Sequence, residues 1–231
     1  MPPTLSHLLL ALAFGITGHL SYLCYTPPSG APSKPYTTDR FHFIANLHTY
    51  RNNLLLKVLM VPAFTLQILL ILFPSQGSNL CRNPDLLNPA LFTWSFRFIL
   101  YLLSIAAFGG LRLAAYRHLG TNFTFTLAVP KKLVTTGVYK YVQHPSYTAL
   151  IGVSSASLFF LARLDGIAAC VLPAWMVVAG LSEVGAMVGL GLQIVGLRMR
   201  ITDEEEMMKG EFGAEWERWH ARTKRVLPGL I

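Results

Sequence analysis

Two short stretches hold the residue types that can do chemistry. The first is GVYKYVQHPSY, Gly137 to Tyr147, with three tyrosines, a lysine, a glutamine amide and an imidazole. Pro145 crowds the residue before it and keeps His144 out of helical geometry, while Gly137 marks a turn. A loop constrained in this way can present backbone N–H groups and rings to a ligand. Exposed N–H groups at the helix start that follows favour an anion such as a carboxylate. The second stretch is RMRITDEE, Arg198 to Glu205, in which Arg200 and Glu204 stand one helical turn apart on one face. Each has a plainer reading. A lone histidine near an interface is commonly a hydrogen-bonded structural residue, and an Arg–Glu pair at this spacing is commonly a solvated ion pair.

The elements that must position these residues are apolar. Of 231 residues 53% are hydrophobic and 13% charged, more apolar surface than a soluble domain of this size can hide. About 20 helical residues cross a bilayer core of roughly 30 Å. Runs of that kind cover Leu5 to Tyr25, Leu54 to Phe73 and Leu91 to Leu111, with a shorter one from Ser146 to Leu161 and a long tract from Gly166 to Leu197. Pro173 and the glycines 180, 185, 189 and 191 can break the last tract into a re-entrant stub in 166–182 and one full crossing, or it forms two crossings. The expected fold is an all-α integral membrane protein with about five transmembrane helices. A single membrane domain spans 1–231, with N-terminal helices in 1–111 and a catalytic half in 112–231.

Charge chooses between the topologies. Five crossings put segments 26–53, 112–145 and 198–231 on one side, with three, five and seven basic residues; the other side then carries Arg82 and Arg163. Basic residues accumulate in short cytoplasmic loops, so loop 112–145 and the tail are expected in the cytosol. Six crossings would spoil the bias. Arg97 and Lys57, near the ends of apolar runs, are read as snorkelling. Glu183 is either a functional intramembrane carboxylate or the wet end of a hairpin. The start MPPTLSHLLL has no basic n-region, so a retained first helix is expected in place of a removed signal. TPPSGAPSKP, Thr26 to Pro35, reads as a connecting loop. The sequon Asn122-Phe123-Thr124 falls in the expected cytosolic loop, where it would stay unmodified.

Seven of eleven acidic residues lie between Asp203 and Glu217, whereas 112–145 contains none. The tail reads as an amphipathic helix, with Met208, Phe212, Trp216 and Trp219 on one side and Gly210 and Gly213 weakening its middle. Cys24, Cys81 and Cys170 form no CxxC pair and are expected as packing residues or free thiols. No metal-ligand spacing is present. The net charge of +8 follows the membrane topology and sits beside an acidic tail, which argues against a nucleic-acid partner.

The two stretches together are more specific than either alone. LVTTGVYKYVQHPSYTALIG, followed about 50 residues later by RMRITDEEEMMKGEFGAEWERWHARTKRVLPGLI, resembles the isoprenylcysteine carboxyl methyltransferase family. The matching core is Gly137, Tyr139, His144, Pro145 and Tyr147. The tail matches at Arg200, Glu204, Glu205, Phe212, Gly213, Trp216, Trp219, Arg225 and Pro228, and RLAAYRHLGTNFTF, Arg112 to Phe125, is similar to the family just upstream. The resemblance covers roughly residues 110–231. Two positions depart from it: Gln143 stands where the family has Arg, and Ala149 where it has a small residue, usually Gly. The glutamine is the larger change, since an amide lacks the permanent charge and five donors of a guanidinium.

The resemblance implies transfer of a methyl group from S-adenosylmethionine to the C-terminal carboxylate of a prenylated cysteine, on prenylated CaaX-type proteins, at the endoplasmic reticulum membrane. It implies a cofactor-binding loop over 130–147 with Gly137, Tyr139, Lys140, Gln143, His144, Pro145 and Tyr147, joined by Glu205. Lys140 is a candidate for the charge that Gln143 lacks. Arg200 is expected to orient the acceptor carboxylate, with Glu204 beside it as the second catalytic residue. A carboxylate is already an anion at neutral pH, so the nucleophile needs no base; the enzyme positions and desolvates. Two other readings stand. A phospholipid or small-molecule methyltransferase of this architecture would act on an amine and need a base, for which His144 is available. A non-catalytic membrane scaffold would bind no cofactor.

Overall fold

The computed structural model describes residues 3–26, 53–124 and 127–226, with side chains from Val58 onward in the second stretch. The Pro-rich connection beyond Thr26, its basic residues, the Lys57 side chain, Phe125 and Pro228 lie outside the described residues. The apolar runs form five long helices: α1 (Leu5–Cys24), α2 (Asn53–Leu72), α3 (Phe96–Leu119), α4 (Pro145–Leu161) and α5 (Leu181–His220). Among the described residues there is no strand, only an isolated bridge between Val142 and Lys224. Polar residues set the starts. The Thr4 hydroxyl accepts from His7 N while the His7 ring accepts from Thr4 N, and Ser95 accepts from Phe98 N at the head of α3.

Three helical stretches, α1, Pro89–Asn122 and α5, are long and apolar enough to cross a membrane alone. A fourth span arises if α2 is counted with Pro74–Leu80, into which the chain bends by 113°. α4 has 17 residues, about 25 Å of helix. The tract from Gly166 forms two five-residue helices, Ile167–Val171 and Ala174–Val178, before Gly180 takes a positive φ and α5 begins. Each short helix is only about 7.5 Å long, too little to cross. Glu183 lies at the start of α5, where its carboxylate accepts from Leu164 N.

The helices pack in the order α2, α1, α3, α4, α5, the pairing of α3 with α4 being the most extensive. Phe14 of α1 is fully buried among Phe64, Phe98, Tyr101 and Phe160, with ring centroids 4.8 to 5.8 Å away. Between helices in lipid, such packing takes over from the hydrophobic effect that drives association in water. α5 is held mid-way by Gln193 Nε2, which donates to Ser154 Oγ on α4 (2.9 Å); the Tyr25 hydroxyl meets the same oxygen at 2.8 Å. The opposite side of α5, with Val184, Val188, Val195 and Met199, is exposed.

The bundle has two distinct ends. At one end the loops Phe73 to Ser95 and Ala162 to Gly180 form a cap. Here the expectation of unpaired cysteines is corrected: Cys81 and Cys170 form a disulfide, and Cys24 is the free, buried thiol. The partners are 89 residues apart and meet only because α2 and α4 both end at the cap. The Asn83 amide donates to the carbonyls of Ala169 and Leu172, and Asn88 donates to Asp165. Arg163 grips Asp165 through two bonds of 2.7 and 2.6 Å. Burial pushes the Asp165 carboxyl up, but the bonds from Arg163 and Asn88 outweigh it and hold it below the usual carboxylate range.

Candidate active site

The other end gathers the chemical residues. Pro145 occupies the first turn of α4, where its missing N–H costs nothing, and His144 precedes it at φ −120° and ψ 58°. Beneath them Arg112 of α3 is almost fully buried. Its guanidinium donates to Cys24 O (2.7 Å) and to the carbonyl and hydroxyl of Ser146 (both 2.8 Å), tying the end of α1 to the start of α4. The Tyr116 hydroxyl donates to the same Cys24 carbonyl. In the sequence this position shows as an arginine that closes an apolar run and opens the stretch Arg112 to Phe125.

α5 continues beyond its apolar stretch and carries Arg200, Glu204 and Glu205 to the loop. Tyr147 donates to Glu204 Oε2 at 2.7 Å, and the Arg200 guanidinium donates to the same phenol oxygen. His144 stacks on Tyr147, ring centroids 5.6 Å apart. Its Nε2 lies 3.4 Å from Glu205 Oε1 and its Nδ1 4.0 Å from Glu204 Oε2. The far oxygen of Glu205 meets Arg225 at 2.8 Å. Burial pushes the Glu205 carboxyl up, but His144, Arg225 and His220 together hold it below its ordinary range. Tyr139 is buried, and desolvation followed by the neighbouring Glu204 carboxylate holds its phenol far above its ordinary value, so it stays neutral.

Gly137 and Gly213 make this convergence possible. Gly137 opens the turn Gly137–Lys140 at φ +62°, and a Cβ there would run into the His118 ring. Gly213 breaks α5 at φ +48° and folds the last helical residues back. Lys209 and Glu217, eight positions apart, thereby meet at 3.0 Å, whereas in a straight helix their backbones would be about 12 Å apart. The returning segment, 214–226, lies on the loop as a strap. Trp219 Nε1 donates to Tyr139 O (3.1 Å), Trp216 stacks on His220, and the backbone N–H groups of Gln143 and His144 donate to Lys224 O and Arg225 O.

The structure therefore brings together Tyr139, Gln143, His144, Pro145, Tyr147, Arg200, Glu204 and Glu205, with Gly137 shaping the turn. Lys140 is exposed, its ammonium over the Tyr141 ring at 5.9 Å, and takes no part in this circuit. His220 and Thr223 join the site without having been singled out in the sequence, and Arg112 and Trp219, read there only as part of the family resemblance and of an amphipathic tail, take specific places in it. Among the described residues no group of His, Cys, Asp and Glu is arranged to hold a metal ion.

The comparisons with known proteins bear on this same region. No curated protein and no solved structure matches the chain. The family model of the isoprenylcysteine carboxyl methyltransferase (ICMT) family matches residues 99–183, which takes in α3 from Ile99, the loop with Gly137 to His144, all of α4 and the first residues of α5. The resemblance read from the sequence holds over that stretch, where the chain is similar to a family of membrane methyltransferases, the isoprenylcysteine carboxyl methyltransferases.

Proposed function

We propose that this protein transfers a methyl group from S-adenosylmethionine to the C-terminal carboxylate of a prenylated cysteine. The observation that carries this reading is the meeting, where α5 leaves its apolar stretch, of Arg200, Tyr147 and Glu204 with the His144–Glu205 pair. A lipid-anchored acceptor reaches this level from the membrane and a water-soluble donor from the other side. The donor supplies an activated methyl group on a sulfonium. Glu205 and Glu204 offer anionic oxygens to an ammonium. The buried Tyr139 and the half-buried Tyr147 offer ring faces, and Trp219 covers the loop. Arg200 can grip an acceptor carboxylate bidentately while Tyr147 and Glu204 fix its direction. Holding carboxylate oxygen and methyl carbon in line at roughly 3 to 3.5 Å is the kind of proximity that lowers such a barrier by several kcal/mol.

The disulfide supports an orientation. Disulfides persist in oxidising compartments, so the cap with Cys81–Cys170 belongs in the endoplasmic reticulum lumen or an equivalent space and the strap end in the cytosol. The bias of basic residues points the same way. Asn122, at the strap end, is then expected to stay unglycosylated.

One observation favours acceptance by an amine: His144 stands between two carboxylates, an arrangement suited to a base. The deciding experiment presents labelled S-adenosylmethionine with a farnesylated cysteine analogue or an aminophospholipid to membranes holding the full chain, with Arg200→Ala alongside. Transfer to the cysteine analogue, lowered at least about 100-fold by Arg200→Ala, supports carboxyl methylation. Transfer only to the amine overturns it in favour of the second reading, and no cofactor binding at all would favour the scaffold.

A further inference from the structure

Gln143 stands beside His144, yet its side chain turns away from the carboxylates and spends its hydrogen-bonding capacity on the strap. Nε2 donates to His220 O at 3.1 Å and Thr223 O at 2.7 Å. Oε1 lies 2.9 Å from His220 Nδ1; an amide oxygen only accepts, so Nδ1 carries the proton. The residue is 3% exposed. His220 O is the last carbonyl of α5 and also takes a 3.4 Å bond from Thr223 N, while Thr223 lies three residues beyond the helix. The amide thus ties the last residue of α5 to the turn that follows it, and the strap continues alongside 142–144 through Gln143 N to Lys224 O and His144 N to Arg225 O, both 2.8 Å.

The consequence reaches Glu205. Arg225 holds that carboxylate, but its own side chain is 61% exposed, and an exposed guanidinium gains little from a pairing unless its geometry is fixed beforehand. The strap backbone fixes it. We propose that Gln143 is a positioning residue that docks the strap, so that Arg225 sets the Glu205 carboxylate against His144. It rests on the reading of this cluster as the methyl-donor site. Gln143 then acts on cofactor affinity through residues 220–225, and the glutamine that departs from the family pattern is the anchor of the strap. Arginine at this place could make both carbonyl bonds, with His220 accepting in its other tautomer; alanine could make neither, and glutamate would set a carboxylate against two carbonyls.

The test compares wild type, Gln143→Ala, Gln143→Glu, Gln143→Arg, Arg225→Ala and the Gln143→Ala/Arg225→Ala pair as full chains in lipid nanodiscs. Two quantities are measured: the rate of trypsin cleavage after Arg218 and Arg222, and KM and kcat for S-adenosylmethionine. Gln143→Ala and Gln143→Glu are expected to be cleaved at least about tenfold faster and to raise KM about tenfold or more, with kcat within about threefold of wild type. Gln143→Arg is expected to stay within about threefold on both. The double variant should have a KM no higher than Gln143→Ala alone, because both substitutions release one strap. Wild-type cleavage rates in Gln143→Ala, or KM effects that multiply, would overturn the proposal. Arg225→Ala, at an exposed side chain, keeps the KM test available where Gln143→Ala does not accumulate: an unchanged KM there also overturns it. If the wild-type chain binds no S-adenosylmethionine, the functional reading fails, and the cleavage rates of Gln143→Glu and Gln143→Arg decide strap docking alone.

Discussion

At the cap, Cys81 and Cys170 are covalently joined, the Asn83 amide bonds two carbonyls and Arg163 chelates Asp165. At the site end, 214–226 lie on the loop through backbone bonds, the Gln143 amide and one ion pair from an exposed arginine. Both ends join segments far apart in sequence. The cap cannot open without reduction, whereas every link of the strap can break and re-form in water. Under the proposed function, a bundle that exchanges a soluble methyl donor at one end and holds its helices together at the other needs this asymmetry.

The largest break expected is at the site end. Glu205→Ala removes the carboxylate that meets both His144 and Arg225; because Arg225 is exposed and regains water, the cost in stability stays near that of a surface pair, about 1 kcal/mol or less. Methyl transfer is expected to fall at least about 100-fold in kcat/KM, with the thermal midpoint of the bundle lowered by only a few degrees. A fall below tenfold would mean that the pair does not organise the site.

The opposite pattern is expected for Cys81→Ala/Cys170→Ala. Closing a loop of 89 residues contributes about 2 to 4 kcal/mol to stability, so the midpoint should drop clearly while KM and kcat stay within about twofold. Catalysis lost in parallel with stability would show that the two ends are coupled and would defeat the comparison. Next in size is Gly213→Ala. The strap returns through φ +48° at this position, where a Cβ costs about 1 to 2 kcal/mol. About tenfold faster trypsin cleavage of the strap is expected, and an unchanged rate would place the hinge elsewhere.

The two ends were not equally legible in the sequence. The long helices follow from apolar runs, because lipid forces backbone bonds to close within each segment; Leu5–Cys24 and Pro145–Leu161 fall within a residue of their runs. Arg200 and Glu204 share a face by helical spacing alone. The disulfide was not legible, since nothing in the numbers 81 and 170 says that two loops meet. Gln143 was visible as a departure from a family pattern, but its partners lie 77 and 80 residues away. Gly213 was read as weakening a helix; its positive φ, which directs the chain back over the loop, depends on the tertiary contacts of Trp216 and Trp219.

The smallest effect sharpens the comparison through pH. Glu205, facing His144, Arg225 and His220, has its carboxyl held below the ordinary range. A group whose folded pKa lies below its unfolded value of about 4.3 contributes its full stabilisation above that value and loses it as pH falls through the folded pKa. Strap docking should therefore persist at neutral pH and down through the ordinary carboxylate range, then fail in stronger acid. Tryptophan emission follows this in a Trp94→Phe/Trp175→Phe background, where Trp216 and Trp219 on the strap are the remaining indoles. The expected transition lies below about pH 4.3 and is absent or displaced in Glu205→Gln. A transition above that range, unmoved by Glu205→Gln, would assign the strap's acid sensitivity to another group and leave the Arg225–Glu205 bond a minor contributor. The cap offers a matched control, because Asp165 is also held low by its partners but sits beside a covalent bond that does not titrate, so acid should loosen the strap before the cap.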